Sequence, residues 1–252
     1  FKIKFKLKTS LTRIKNDEIF DFQKALNIIK ENVYLIEKEL NSTFKEIIII
    51  LDNFNLSFIN LTGYKKLNGS QVSRDNVTYI LNSLKSHVNK IETKKKILHI
   101  FNSKFDLDKK KIENLPIGLF GDFYSHELSF VLIDSNDYKN LETIFDKCNL
   151  KIEKILLRSF VKGAYLSQNN INKETFFHIE INEEDSKIFY FENSSLKYEQ
   201  KFSFGNNIIL KDISKVTSLK IDIVKNILNK MEITNNLSDD ELIEKEFFHN
   251  DH

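Results

Sequence analysis

The segment Lys45–Leu51, with the sequence KEIIIIL, constrains the fold of this chain more than any other part. Its apolar residues follow one another without the alternation of a half-exposed strand, so we predict a strand that is buried on both faces. Such strands lie inside sheets that helices cover on both sides. The segment therefore favours an α/β fold, and it is far shorter than the roughly 20 apolar residues of a membrane-spanning helix.

The residues before this strand predict a helix and a further strand. Between residues 17 and 40, apolar residues recur at steps of four and three, which indicates one core-facing helical stripe. Phe1–Lys8 alternates apolar residues with lysines, which is typical of a half-buried strand with an exposed lysine edge. The alternative, that these lysines contact phosphate or lipid, stays open at this point.

The middle of the chain reads as a compact α+β unit. Residues 52–72 are polar and interrupted by glycines, and we expect a domain boundary there. Beyond it, Ser73 is placed to cap a helix and Ser135 to cap a second one. Strands are expected at Ile97–Phe101, Leu128–Ile133 and Lys151–Leu157.

A shaped turn is predicted at Leu115–Gly121, which holds the only proline and two of the six glycines. Two lysine triplets, Lys94–Lys96 and Lys109–Lys111, are more typical of solvated turns than of binding patches. After residue 157 we expect a short helix, the hairpin Phe176–Phe191, a strand, and a helical pair. Their positions are Ser159–Leu166 for the helix, Lys197–Phe204 for the strand and Ile208–Met231 for the pair.

Several kinds of chemistry are disfavoured by the sequence. A net charge of +2 gives no field towards nucleic acid, and the aromatic residues fall at core positions, so we expect no nucleic-acid partner. The single cysteine, Cys148, excludes an internal disulfide. His249 and His252 would need further ligands to hold a metal. The glycines are too few and too scattered for any glycine-rich nucleotide motif, so a catalytic residue is not assigned.

The order of motifs resembles FtsA, the actin-like bacterial division protein. The motifs that carry the resemblance are Pro116–Gly121, a strand at His126–Ile133, a helix at Asp137–Leu150 and the strand Lys151–Leu157. The FtsA pattern is an Asn-Pro-x-Gly-x-x-Gly turn, a strand, a helix that ends in Cys-Gly-Leu, and a strand. Leu115 stands here in place of the Asn, and Asn149 stands in place of the Gly, as asparagine often does in a left-handed helix cap.

The resemblance implies an actin-like, ribonuclease H-like α/β fold with the inserted subdomain of FtsA. It divides the chain into residues 1–71 in the first actin-like subdomain, 72–150 in the inserted subdomain, and 151–252. The last segment would complete the first subdomain and begin the second actin-like subdomain.

The resemblance also locates a nucleotide site, in which this chain departs from the family. The second phosphate loop of FtsA, Asp-x-Gly-Gly-Gly-Thr, falls on residues 180–185. Glycines let backbone N–H groups approach phosphate, whereas larger side chains do not. Two like charges about 4 Å apart repel by about 4 kcal/mol at an effective dielectric of 20, so carboxylates there oppose a polyanion. The replaced positions are Glu180, Asn182, Glu183, Glu184 and Asp185.

Four further positions match the adenosine side of the FtsA site. Asn206 stands in place of a glycine, Asp212 matches an Asp of the following helix, and Asp222 and Lys225 match an acid-x-x-Lys pair near the ribose and base. ATP with magnesium is the cofactor that the resemblance implies. Because the phosphate loop lacks glycine, we expect nucleotide hydrolysis to be absent or very weak.

The function implied is that of a scaffold of cell division. FtsA connects FtsZ and later divisome proteins at the septum, self-associates, and contacts the inner face of the cell membrane from the cytoplasm through a C-terminal segment that this chain does not contain. Three alternatives stay open: an adaptor of pilus assembly similar to PilM, an active actin-like ATPase, and an interaction module unrelated to actin.

Overall fold

The computed structural model describes residues 14–15, 18–19, 22–52, 54–169 and 174–230. The chain forms two compact units. The first unit comprises residues 1–178 and 189–199, and the second unit comprises residues 179–188 and 200–252. The predicted strand Phe1–Lys8 and the pair His249 and His252 lie outside the described residues.

The described residues form six helices and eleven strands. The helices are α1 (Phe22–Leu40), α2 (Arg74–Ile91), α3 (Ser135–Asp146), α4 (Arg158–Asn169), α5 (Asn206–Thr217) and α6 (Ile221–Lys230). The strands are β1 (Ile14–Lys15), β2 (Glu18–Ile19), β3 (Glu46–Leu51), β4 (Leu56–Lys66), β5 (Lys95–Leu107), β6 (Lys110–Ile112), β7 (Phe123–Asp134), β8 (Lys151–Leu157), β9 (Phe176–Ile181), β10 (Ser186–Glu192) and β11 (Ser195–Phe202). The α/β class predicted from the sequence is confirmed.

Strand β3 pairs in parallel with β8, from Glu46 opposite Lys151 to Leu51 opposite Leu157. Its position agrees with the prediction, but its burial does not. Ile47 and Ile49 pack against the core of the first unit, whereas Ile48 and Ile50 are 50% and 55% exposed. The strand is therefore buried on one face within the described residues, because no described element covers the face that carries Ile48 and Ile50.

A four-stranded antiparallel sheet, in the order β4-β7-β5-β6, forms the middle of the first unit. Strand β4 lies where the sequence predicted a polar boundary segment, so that prediction missed a long strand. Helix α2 covers one face of the sheet, and Val88 packs there against Leu128, Phe130 and Leu132. Gly63 permits this approach, because a Cβ at that position would lie 2.6 Å from a methyl group of Ile80.

The opposite face of this sheet contributes to the main core of the first unit. Val131 and Ile133 pack there with Leu157 of β8 and with Phe191 and Leu196 of the β10–β11 hairpin. Lys197 of β11 is only 5% exposed, and its ammonium group forms an ion pair with Glu127 of β7. The hairpin is thus bound to the sheet by apolar burial and by a largely desolvated ion pair.

The helix ends agree with the predicted caps to within one residue. The Ser73 hydroxyl accepts a hydrogen bond from the Asn76 N–H (3.2 Å), and the Asn76 side-chain oxygen accepts one from the Ser73 N–H (2.8 Å), which forms a capping box. Asp134, not Ser135, caps α3, because the Asp134 carboxylate accepts the Asn136 N–H. Asn149 has a φ of 57°, as expected of an asparagine in a left-handed helix cap.

Candidate functional site

The turn between β9 and β10 is closed by its own polar groups. The Asn182 N–H donates to the Asp185 carbonyl oxygen (2.8 Å), and the Asn182 side-chain amide donates to the Asp185 carboxylate (2.8 Å). The Lys201 ammonium group lies 3.1 Å from the same carboxylate. The predicted hairpin is confirmed, and residues 182–185 form a hydrogen-bonded polar turn in it.

The first turn of helix α5 binds this polar turn directly. The N–H groups of Asn206 and Asn207 donate to the carbonyl oxygens of Asn182 (2.8 Å) and Glu183 (3.0 Å). The side-chain amide of Asn207 donates to the Glu184 carboxylate. The N–H groups at a helix start form an anion site when they are available, but here two of them are bound to carbonyl oxygens.

Gly205 makes this contact possible. It precedes α5, and a Cβ at its position would lie 2.4 Å from the Asn182 carbonyl oxygen and 2.5 Å from that of Glu183. Those two neighbours are backbone atoms, which cannot rotate away as a side chain can. The glycine is therefore required by the close approach of two backbones, not by an unusual φ, which is −151°.

A cavity of about 400 Å³ lies beside the turn in the second unit. Three of the nine predicted site residues line it: Glu183, Asn206 and Lys225. Its other lining residues, which the sequence had not singled out, are Asn207, Ile209, Leu210 and Leu228. Asn207 was missed because its role follows from a contact with Glu184 that is 23 residues distant in sequence.

The other six predicted residues are not among the lining residues of this cavity. Glu180 is half-buried on β9, and Asn182, Glu184 and Asp185 belong to the polar turn. Asp212 on α5 and Asp222 on α6 are exposed. The assignment of all nine residues to a nucleotide site stays a prediction.

The Asp185 carboxylate is held in its charged form by its neighbours. Partial burial alone would raise its pKa, but hydrogen bonds from Asn182 and Lys201, together with the charges of Lys201 and Lys187, lower the pKa below its ordinary value. The turn therefore keeps a negative charge at neutral pH, next to the exposed side chains of Glu183 and Glu184.

The groups of the turn do not fit a nucleotide phosphate bound as in a glycine-rich loop. The carbonyl oxygens of Asn182 and Glu183 already accept the helix N–H groups, and three carboxylates surround them. A phosphate at this place would meet the negative charges of the turn, and the Lys201 ammonium group beside it is already paired with Asp185. Among the described residues, no group of three or more metal-ligating side chains was found that could hold a magnesium ion.

A second cavity, of about 460 Å³, lies in the first unit and was not predicted from the sequence. It is lined by polar groups of β5, β6 and the β10–β11 turn. The Lys111 ammonium group donates to the Asn193 side-chain oxygen (2.9 Å), and the Asn193 amide donates to the Ser103 carbonyl oxygen (2.6 Å). These bonds connect the β10–β11 turn to β5 and β6.

Comparisons with known proteins agree with this architecture. No protein-family model matches the chain. The cell division protein FtsA of Buchnera aphidicola (subspecies Acyrthosiphon pisum) is 20% identical over 215 residues, which are 85% of this chain and 51% of that protein. FtsA of Rhizobium meliloti is 20% identical over 209 residues, which are 83% of this chain and 47% of that protein. The chain thus spans about half the length of the curated relatives that it matches.

The solved structure of a PilM–PilN type IV pilus biogenesis complex has a similar fold. It matches 88% of this chain and 60% of its own chain, with a TM-score of 0.52 and 8% sequence identity. This match agrees with the actin-like α/β fold that the resemblance predicted. The curated proteins that match the chain in sequence are FtsA proteins, at 19–20% identity, so the chain is similar to FtsA.

Proposed function

We propose that this chain is part of a cell-division scaffold that resembles FtsA. The observation that carries the proposal is the similarity to FtsA over four fifths or more of the chain. In this role the protein connects FtsZ and later divisome proteins, self-associates, and works on the cytoplasmic side of the membrane at the septum. In the described residues, no helix is both long and apolar enough to cross a bilayer. The resemblance to FtsA implies a peripheral membrane contact in this role.

We further propose that residues 182–185 do not serve as a phosphate loop. The carboxylates of Glu183, Glu184 and Asp185 support this, because like charges about 4 Å apart repel by about 4 kcal/mol at an effective dielectric of 20. The binding of α5 N–H groups to the turn supports it as well. The division role then depends on protein contacts and not on nucleotide turnover.

Calorimetric titration of ATP with magnesium tests the nucleotide part of the proposal. We expect no binding at micromolar concentrations and no measurable hydrolysis. Lys225→Met is the informative variant, because Lys225 lines the cavity where adenosine would lie. Micromolar ATP affinity that Lys225→Met weakens would show that the cavity holds nucleotide despite the carboxylates.

Depletion of the native protein in living cells tests the division part. We expect filamentous cells that fail to form septa, and a fluorescent fusion should concentrate at the division site. Normal division after depletion would contradict the proposal, whatever the ATP titration shows. Pull-down with FtsZ, using the native protein, separates a direct contact from an indirect one.

A second candidate is an adaptor of pilus assembly, and the structural match to the PilM–PilN complex supports it. In that case depletion should remove pili and leave division intact. The pull-down arm then uses an N-terminal peptide of a pilus protein in place of FtsZ. Capture of that peptide together with a normal septum would favour the pilus role.

The division into subdomains after residues 71 and 150 is part of this proposed role. It assigns the contacts with later divisome proteins to residues 72–150. The strand β4 precedes residue 72 and pairs with β7 along its whole length, from Leu56 opposite Ile133 to Lys66 opposite Phe123. A test fragment of the inserted subdomain should therefore begin before Leu56.

A further inference from the structure

A tight turn after strand β4 carries the only Asn-Gly pair of the sequence, Asn68–Gly69. The Ser70 N–H donates to the Leu67 carbonyl oxygen (3.2 Å), so Asn68 and Gly69 are the two central residues of the turn. Asn68 has a φ of 53° and Gly69 a φ of +79°, and two positive φ angles are typical of a type I′ turn. The backbone conformation therefore explains why asparagine and glycine stand at these positions.

An Asn-Gly pair is also the dipeptide that deamidates most readily without an enzyme, because glycine places no side chain beside the reacting groups. Hydroxide removes the proton of the Gly69 amide nitrogen, which attacks the side-chain Cγ of Asn68. The new N–Cγ bond closes a five-membered succinimide. The side-chain nitrogen of Asn68 takes a proton from water and leaves as ammonia, which restores the hydroxide. Water then opens the ring to aspartate or isoaspartate, and no atom is oxidised or reduced.

The turn leaves one of the two reacting groups accessible and holds the other. Asn68 is exposed, so water and hydroxide reach its side chain. A Cβ added to Gly69 would meet no atom within 4 Å, so there is space beside the turn for the ring. The Gly69 N–H, however, donates to the Gly121 carbonyl oxygen (3.1 Å), and the Gly121 N–H donates to that of Ser70 (3.3 Å). The Gly69 nitrogen can therefore attack only after these hydrogen bonds open.

The position of Gly121 depends in turn on the loop Leu115–Gly121. The Gly118 N–H donates to the Val72 carbonyl oxygen (2.9 Å), and the Val72 N–H donates to that of Leu119 (2.9 Å). These bonds fix the loop against the chain that follows the Asn-Gly turn. Opening of the loop therefore releases Gly69 as well.

From the exposed Asn68 side chain and the hydrogen bonds between this turn and Gly121, we propose that Asn68 is a site of spontaneous deamidation whose rate is set by opening of the loop Leu115–Gly121. The product has a new negative charge in the turn. Isoaspartate also adds one methylene group to the backbone, so the bond from Ser70 to Leu67 no longer closes the same ring. The reaction needs neither nucleotide nor a protein partner, so its test is independent of the division role.

Incubation of the folded 252-residue chain in warm, mildly alkaline buffer tests the site. Peptide mass spectrometry locates the modified residue, and methylation by an isoaspartyl methyltransferase detects isoaspartate. We expect conversion at Asn68 and none at Asn82, which lies within α2, where the helix holds the backbone. The same chain unfolded in urea should convert Asn68 at least about tenfold faster, because no opening step is then required. Asn68→Gln should remove the signal at this position, since glutamine would have to close a larger ring.

Gly118→Ala tests whether the loop sets the rate. A side chain at a φ of +88° strains the loop, so it should open more often and speed the conversion of Asn68 roughly fivefold. Gly205→Ala is the matched control, because it strains a glycine of the second unit and leaves the loop unchanged. It should leave the rate at Asn68 as it is in the natural chain. Circular dichroism should show that both variants keep the secondary structure of the natural chain.

Three results would overturn the proposal. The first is a folded chain that stays unmodified at Asn68 while the chain in urea converts completely. The second is an equal rate in the folded and unfolded chains, because the bonds to Gly121 would then restrain nothing. The third is a rate that Gly118→Ala leaves unchanged, or that Gly205→Ala raises by the same factor, since opening of the loop would then not set the rate.

Discussion

Two turns of this molecule, Leu115–Gly121 and residues 182–185, correspond in the predicted resemblance to glycine-containing motifs of FtsA, and they differ in the side chains that they expose. The first keeps Gly118 and Gly121 and exposes apolar side chains from a backbone held by hydrogen bonds. The second has no glycine, and its polar groups bind one another and the start of α5. The first turn therefore exposes apolar side chains, whereas the second exposes polar and acidic ones.

The difference follows from what each glycine does. Gly118 has a φ of +88°, which strains any residue with a Cβ, so the conformation of the loop itself requires glycine. None of the described residues 182–185 has a positive φ, so this turn forms without glycine. In a phosphate loop the glycines let backbone N–H groups approach the ligand, and the turn itself does not require them. In the predicted mapping, Asn182, Glu183 and Glu184 stand at the positions of those glycines, and the hairpin of β9 and β10 forms with them.

The largest expected effect is the response to acid of strand β7, which follows the loop Leu115–Gly121 in the four-stranded sheet. His126 on β7 is buried, and burial lowers its pKa to about 4. The pKa of this histidine in the unfolded chain is about 6.5, so below that pH the unfolded chain binds the proton more readily than the folded chain does. The contribution of His126 to the free energy of unfolding is therefore full above pH 6.5 and is lost as the pH falls towards 4. The loss amounts to about 3 kcal/mol.

Urea unfolding of the natural chain and of His126→Gln between pH 7 and pH 4 measures this loss. The natural chain should lose more stability than the variant over this range. His87→Gln, at an exposed position of α2, is the control and should follow the natural chain. Equal slopes for the natural chain and His126→Gln would show that the buried imidazole does not set the acid response.

Gly205→Ala should break the contact between α5 and residues 182–185. The added Cβ would lie 2.4 Å from a backbone carbonyl oxygen, so the helix start or the turn must move. Overpacking of this kind costs about 2 kcal/mol. Thermal unfolding measures the loss, and amide hydrogen exchange of Asn206 and Asn207 should speed up at the same time. Unchanged protection of these two amides would contradict the contact.

Gly118→Ala isolates the role of backbone conformation in the apolar loop. There is space for the new methyl group, since nothing lies within 4 Å, so the cost arises from the positive φ alone. We expect a loss of about 1 kcal/mol and a smaller loss for Gly118→Asn, because asparagine tolerates this conformation better. Equal losses for the two variants would show that the conformation is not the cause.

The sequence predicted elements well where periodicity is local, and it failed where burial depends on distant neighbours. The strand Lys151–Leu157 was placed at its observed bounds, and Ser73 was identified as a cap, because both signals lie within a few residues. Strand β4 was missed because residues 52–72 are polar and carry Gly63 and Gly69, which indicated a domain boundary. Asn60 accepts a bond from Ser129 and Gly63 admits α2, and neither partner is visible locally.

The candidate site shows the same limit. The resemblance to FtsA predicted one site that includes Glu183, Asn206 and Lys225, and all three residues line one cavity. The pairing of Asn207 with Glu184 and the role of Gly205 could not be predicted, because both depend on how α5 meets the turn. The exposure of Ile48 and Ile50 was missed for a related reason. A run of apolar residues does not show whether another element covers each face of the strand.

The smallest expected effect separates the two regions by the pH at which each one responds. The pKa of Asp185 is lowered because hydrogen bonds from Asn182 and Lys201 outweigh the effect of burial, so its contribution is present above an unfolded pKa of about 3.9 and is lost as pH falls below it. Asp185→Asn should therefore lower the free energy of unfolding at pH 6, by less than Gly118→Ala does. Near pH 2 it should make little difference. Lys201→Met removes one of the two hydrogen bonds and should reproduce part of the effect. Asp185→Asn could instead change the slope of the free energy of unfolding against pH between pH 6.5 and pH 4, where the His126 contribution is lost. The acid responses of β7 and of residues 182–185 would then be coupled, and the contrast between the two regions would fail.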